Sequence, residues 1–167
     1  MTGGGFLRIN RTYPTSSLYV RMLYVSVFTL PRDMNMSAHA EQPLRVLVVD
    51  DNRDFTDSVA ALVKLKGHEV FVAYDPIEGL RLAHEVLPHL VFHDIGFSGM
   101  TGYEVARRLR NDTRFKNTML IAVTGQDGPM AKRSSKEVGF DRHITKPIRY
   151  KSMLEVLAAA AVAQRSP

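Results

Sequence analysis

Five side chains in this sequence could do chemistry together: the adjacent carboxylates Asp50 and Asp51, a third carboxylate at Asp94, the hydroxyl of Thr124 and the amine of Lys146. Three carboxylates gathered at one place repel each other and raise their own pKa values. A hard cation relieves that repulsion. An all-oxygen, wet donor set favours Mg2+, which keeps several waters and takes one or two carboxylates plus phosphate oxygens. Lys146 adds a mobile point charge and Thr124 a hydroxyl donor, both suited to a phosphoryl group. A carboxylate can also act as a nucleophile and form an aspartyl-phosphate, with cation, amine and hydroxyl balancing the charge on the equatorial oxygens. Asp94 stands alone and is the natural nucleophile. The Asp50-Asp51 pair looks like a metal clamp.

These residues work together only if the fold brings them to one rim, and the pattern from residue 44 onward does so. Residues 44–49 form a short, almost wholly apolar run rich in β-branched side chains, as a strand buried on both faces requires. Phe55, Val59, Leu62 and Val63 then recur at helical spacing, with Gly67 as a stop. Residues 69–73 predict a second strand; Asp75-Pro76 supply an N-cap and first-turn proline for a helix closed by Pro88. Residues 90–92 start a third strand, 103–110 a third helix, 119–123 a fourth strand, 130–138 a weaker helix ending at Gly139, 140–145 a fifth strand and 150–163 an alanine-rich helix. Five such alternations predict an α/β protein with a doubly wound parallel sheet, because each parallel crossover needs a return element. Ligands in such folds sit beyond the carboxyl ends of the strands. Strand one ends at Asp50-Asp51, strand three at Asp94, strand four at Thr124, and strand five delivers Lys146-Pro147.

The 167 residues, 45% hydrophobic and 23% charged, fit one ordinary domain with a spare segment. Zero cysteines exclude a disulfide framework, thiolate catalysis and Cys-type zinc sites, and fit a reducing, cytoplasmic setting. Twenty-two Lys and Arg against 17 Asp and Glu give +5, without a basic block that reads as a nucleic-acid surface. The apolar stretch 18–30 contains Arg21 and is too short to span a membrane, which needs about 20 apolar residues. Residues 1–43 are expected to be a poorly ordered extension, or in large part untranslated, given the internal methionines Met34 and Met36; residues 44–164 are expected to be the domain.

Leu47-Val-Val-Asp50-Asp51-Asn52, His93-Asp94-Ile95, Met100-Thr-Gly102-Tyr-Glu, Val123-Thr124-Gly125 and Ile144-Thr-Lys146-Pro147 together resemble the receiver domain of two-component response regulators. The wording around Asp94 and in 103–110 is most similar to receivers of hybrid histidine kinases. The resemblance implies a flavodoxin-like (βα)5 fold with strand order 2-1-3-4-5. It also implies that Asp94 accepts a phosphoryl group from a phosphohistidine, with Mg2+ held by Asp51, Asp94 and the backbone carbonyl of Gly96. Asp50 would act through water, Thr124 and Lys146 would bind phosphoryl oxygens, and Lys146-Pro147 would be cis. Thr124 and His143 would form the switch. The implied partners are a histidine kinase or histidine phosphotransfer protein and a downstream protein target. The face made by helix four, strand five and helix five would carry the output, and could also serve a homodimer. A receiver catalyses its own phosphorylation and dephosphorylation and is otherwise not an enzyme. With only a few residues beyond the last helix, the expected product is a single receiver domain without an output domain.

Some positions depart from the family pattern. Ser98 replaces a common proline and Phe97 a common Met or Leu, which faintly favours a rival reading as a receiver-like scaffold that is not phosphorylated. His93 stands where the family is normally apolar; strand alternation points its ring away from the pocket, as a satisfied core histidine. His89 and His93 are four apart, but on a strand that places them about 13 Å apart and excludes a zinc pair. Arg107, Arg108, Arg110 and Arg114 predict a solvated basic face. An aspartate-nucleophile phosphatase would want a second acid where Gly96 stands. A flavin binder would want a phosphate loop where Asp50-Asp51-Asn52 stands.

Overall fold

The computed structural model describes residues 42–125 and 129–165. The extension expected over 1–43 falls outside them except for its last two residues. Five strands, β1 Arg45–Val49, β2 Glu69–Ala73, β3 Leu90–Asp94, β4 Met119–Thr124 and β5 Arg142–Thr145, form one parallel sheet in the order β2-β1-β3-β4-β5. Among the described residues five helices return the chain: α1 Arg53–Leu65, α2 Pro76–Val86, α3 Gly102–Arg110, α4 Pro129–Glu137 and α5 Tyr150–Ala163. A 3-10 turn, Thr113–Phe115, precedes β4. Among the described residues no helix is long and apolar enough to cross a membrane.

Strand alternation divides the apolar residues between two cores. Val46, Val48, Phe92, Ile121 and Val123 face α1 and α5, where Phe55, Val59, Val63, Met153 and Val156 meet them. Leu47, Val49, Val91, Leu120 and Ala122 face the other way, onto Ala83 of α2, Val105 and Leu109 of α3 and Val138 at the end of α4. The near-continuous apolar runs of the central strands follow from this: both faces are covered.

Three helices start on side-chain caps. Asn52 accepts from the Phe55 amide at the start of α1, and Asp75 accepts from Ile77 and Glu78 at the start of α2. Thr101 and Glu104 form a reciprocal capping box on α3. One expectation needs correcting: β5 begins at Arg142, not at residue 140. Gly139 adopts φ +103°, the Phe140 amide donates to the Ser135 carbonyl and the Gly139 amide to that of Lys136. These bonds end α4, so the Phe140 amide is already engaged while its ring fills the second core.

At the amino ends of the strands, side chains satisfy backbone groups. The Arg45 guanidinium donates to the carbonyls of Val86 (2.7 Å) and Leu87 (2.8 Å), and the Arg45 amide donates to His89 Nδ1 (3.1 Å). Thr118 donates to the Pro88 carbonyl. Arg110 was expected on a solvated face; it instead donates to the carbonyls of Gly139 (2.8 Å) and Thr118 (2.9 Å) and pairs with Asp141 (2.6 Å). Arg114 pairs with Asp112, leaving Arg107 and Arg108 exposed as expected.

Candidate functional site

The carboxyl ends of β1, β3, β4 and the segment after β5 meet at one rim. Parallel pairing sets Val49 beside His93, so Asp50 and Asp94 emerge next to each other; Asp94 pairs with Val123 and Thr124 with Thr145. Ligand oxygens of Asp50, Asp51 and Asp94 all lie within 4.8 Å of one another. Lys146 Nζ reaches between them, 2.6 Å from Asp50 Oδ2 and 2.8 Å from Asp94 Oδ2. Its own amide donates to the Thr124 carbonyl at 2.7 Å, which anchors the lysine beside β4, and the Lys146–Pro147 peptide is cis.

Asp50 is fully buried, Asp94 largely so, and Asp51 is exposed. Burial pushes the Asp50 carboxyl above its ordinary value, although the hydrogen bonds from Lys146 and the Asn52 amide pull the other way. Burial opposes the charge on Lys146, but its hydrogen bonds to Asp50 and Asp94 outweigh that, and the amine titrates above its usual value. The second oxygen of Asp94, Oδ1, accepts the Gly96 amide at 2.9 Å. Three carboxylates against one ammonium leave an excess of negative charge on an all-oxygen donor set, and that fits a hard divalent cation.

All five residues singled out for their chemistry stand at this rim. Phe55 was read only as a core residue of α1, yet its ring also lies 4.9 Å from Lys146 Nζ and gives the amine an aromatic face. Asn52 both caps α1 and holds Asp50 Oδ1 through its amide at 3.0 Å. An aromatic spaced at helical period carries no mark of such a contact. His143 lies further out on β5, its Nδ1 2.9 Å from the Ser135 hydroxyl of α4. Its strand neighbour is Ala122.

His93 points away from the rim, under α3, as strand alternation requires. It is only half satisfied: Nδ1 meets the Asp94 carbonyl, while Nε2 has no partner among the described residues. Burial drives its pKa down to about 4, so the ring is neutral. His89 serves as the acceptor for the Arg45 amide and lies at the opposite end of the strand from Asp94, so no histidine pair forms.

The response regulator receiver domain model matches residues 46–158. The chain is 30% identical over 115 residues to Protein PilH of Pseudomonas aeruginosa, covering 69% of this chain and 95% of PilH. The chemotaxis response regulator CheY4 of Vibrio cholerae superposes with a TM-score of 0.66 at 27% identity, covering 71% of this chain and 98% of CheY4. The receiver domain of Ssk1, solved with the Saccharomyces cerevisiae histidine phosphotransfer protein Ypd1, shares the fold at TM-score 0.68 and 19% identity, over 74% and 92% of the chains. Matched over more than half its length and carrying the five-stranded 2-1-3-4-5 sheet, the chain belongs to the response regulator receiver domain family.

Proposed function

We propose that residues 44–164 form a phosphorylation-dependent switch in which Asp94 is the phosphoacceptor. A carboxylate oxygen of Asp94 attacks the phosphorus of a phosphohistidine. The P–N bond breaks, and its electron pair returns to the imidazole nitrogen. Asp51, Asp94 and the Gly96 carbonyl would hold Mg2+, with Asp50 acting through water; when bound, the ion supplies positive charge to the phosphoryl oxygens. Lys146 already bonds Asp94 Oδ2, and on phosphorylation its amine would transfer to a phosphoryl oxygen, while Thr124 donates its hydroxyl to another. Phosphorylation replaces the single negative charge of the Asp94 carboxylate with a phosphoryl group that carries about −1.5 to −2, and draws Thr124 inward. His143 follows and disturbs its contact with Ser135, so the change reaches the α4–β5–α5 face.

The observation that carries this reading is the single amine held at hydrogen-bond distance from both Asp50 and Asp94. The donor is a histidine kinase or a phosphotransfer protein, in line with the partner of the Ssk1 receiver. The output is a protein target, or a second copy of this chain, on the α4–β5–α5 face. Self-phosphorylation and its hydrolysis are the only reactions assigned to the chain. A scaffold that is never phosphorylated is not favoured, since Ser98 and Phe97 leave the three carboxylates and the lysine in place. Acetyl phosphate with Mg2+ tests the reading: Asp94→Asn should take up no hydroxylamine-labile phosphate, and a variant that still labels fully removes Asp94 from the role.

A further inference from the structure

His93 is 1% exposed, the neighbour of Val49 on β1 and Ala122 on β4, inside the second core. An aliphatic side chain would pack there without burying any polar atom. The imidazole instead encloses an Nε2 with no partner among the described residues, which is a stability cost. In exchange, Nδ1 lies 2.5 Å from the carbonyl oxygen of Asp94. A carbonyl only accepts, so Nδ1 carries the ring proton.

Two further contacts bear on this pair, one on the ring and one on the carbonyl. The Phe97 ring meets the imidazole edge-on, with centroids 5.7 Å apart. Gly102 lets α3 settle on this carbonyl: a Cβ there would stand 2.4 Å from the Asp94 oxygen and 3.0 Å from His93 Nδ1. The peptide held in this way begins the turn that leads to Gly96, whose amide fixes Asp94 Oδ1.

We propose that His93 is a positioning residue for the cation site: by donating from Nδ1 to the Asp94 carbonyl it fixes, from beneath, the turn that carries the Asp94 carboxylate and the Gly96 carbonyl. The proposal rests on the function argued above. It distinguishes His93 from a core filler, because a filler would be replaced by leucine without effect on ion binding.

The test uses the full chain and Mg2+ alone, followed by titration calorimetry, with urea unfolding in metal-free buffer measured in parallel. His93→Leu should be at least as stable as the parent yet bind Mg2+ about tenfold more weakly. His93→Asn, whose amide nitrogen takes the place of Nδ1, should stay within about threefold of the parent, and His93→Gln, which reaches the Nε2 position instead, should resemble His93→Leu. Equal Mg2+ affinity in the parent and His93→Leu overturns the proposal, as does equal weakening in the Asn and Gln variants. Should His93→Leu fail to fold, the Asn and Gln pair decides alone. A parent that binds no Mg2+ and takes no label from acetyl phosphate sinks the receiver chemistry itself; a parent that does both beside an indistinguishable His93→Leu sinks only the role of His93.

Discussion

At the carboxyl rim of the sheet, Asp50, Asp51 and Asp94 crowd their oxygens together with Lys146 as the cation between them, whereas at the amino rim Arg45, His89, Thr118 and Arg110 each bond a backbone group. The same five strands supply both ends. One end keeps like charges in proximity, an arrangement that lowers stability and leaves binding capacity for a ligand. The other end uses its polar side chains to close the structure. The two rims thus divide their labour: charge gathered around one amine at the first, backbone groups satisfied by side chains at the second.

The largest effect should come from removing the rim's amine. Lys146→Met leaves the buried Asp50 beside two other carboxylates without a cation, and should cost about 3 kcal/mol in metal-free urea unfolding at neutral pH. Mg2+ or mild acid should restore part of that loss. At the opposite rim, Arg110→Ala frees the carbonyls of Gly139 and Thr118 and unpairs Asp141, and should cost about 2 kcal/mol. Its labelling rate with acetyl phosphate should match the parent, so a loss of labelling at temperatures where it is folded would join the two rims that the comparison separates.

A smaller effect is the opposite sign of pH dependence at the two ends. Asp50 titrates above 3.8 in the folded chain, which therefore binds that proton more tightly than the unfolded chain does. Its contribution to stability is present below that value and is lost as pH rises through its folded pKa. Asp112, hydrogen-bonded by Arg114 and held down to about 2, contributes stability above 3.8 that is lost as pH falls toward 2. Urea midpoints measured across this range without metal should show Asp50→Asn flattening the first trend and Asp112→Asn the second. Stabilisation by Mg2+ should grow as pH rises.

Much of the carboxyl rim was legible because a parallel sheet converts sequence position into spatial position. Each apolar run ends in a residue whose place at the rim follows from counting, as Asp50, Asp94 and Thr124 do. The amino rim was far less legible. Arg110 sits among Arg107, Arg108 and Arg114 with nothing in the sequence to mark it, and it turns inward onto Gly139, Thr118 and Asp141, all distant in sequence. Phe140 has the composition of a strand residue, but its amide is taken by the end of α4. The bond from His93 to the adjacent carbonyl depends on a rotamer and on the depth of α3, and neither is written in residue type.

Lys146 follows the last strand, so the amine that completes the rim arrives almost a whole domain after Asp50. A polypeptide still emerging from synthesis, or one with its final strand undocked, has its acids but lacks their counterion. On the function proposed above, such a chain would lack the amine that balances a phosphoryl charge, so full use of the site waits on assembly of the last strand.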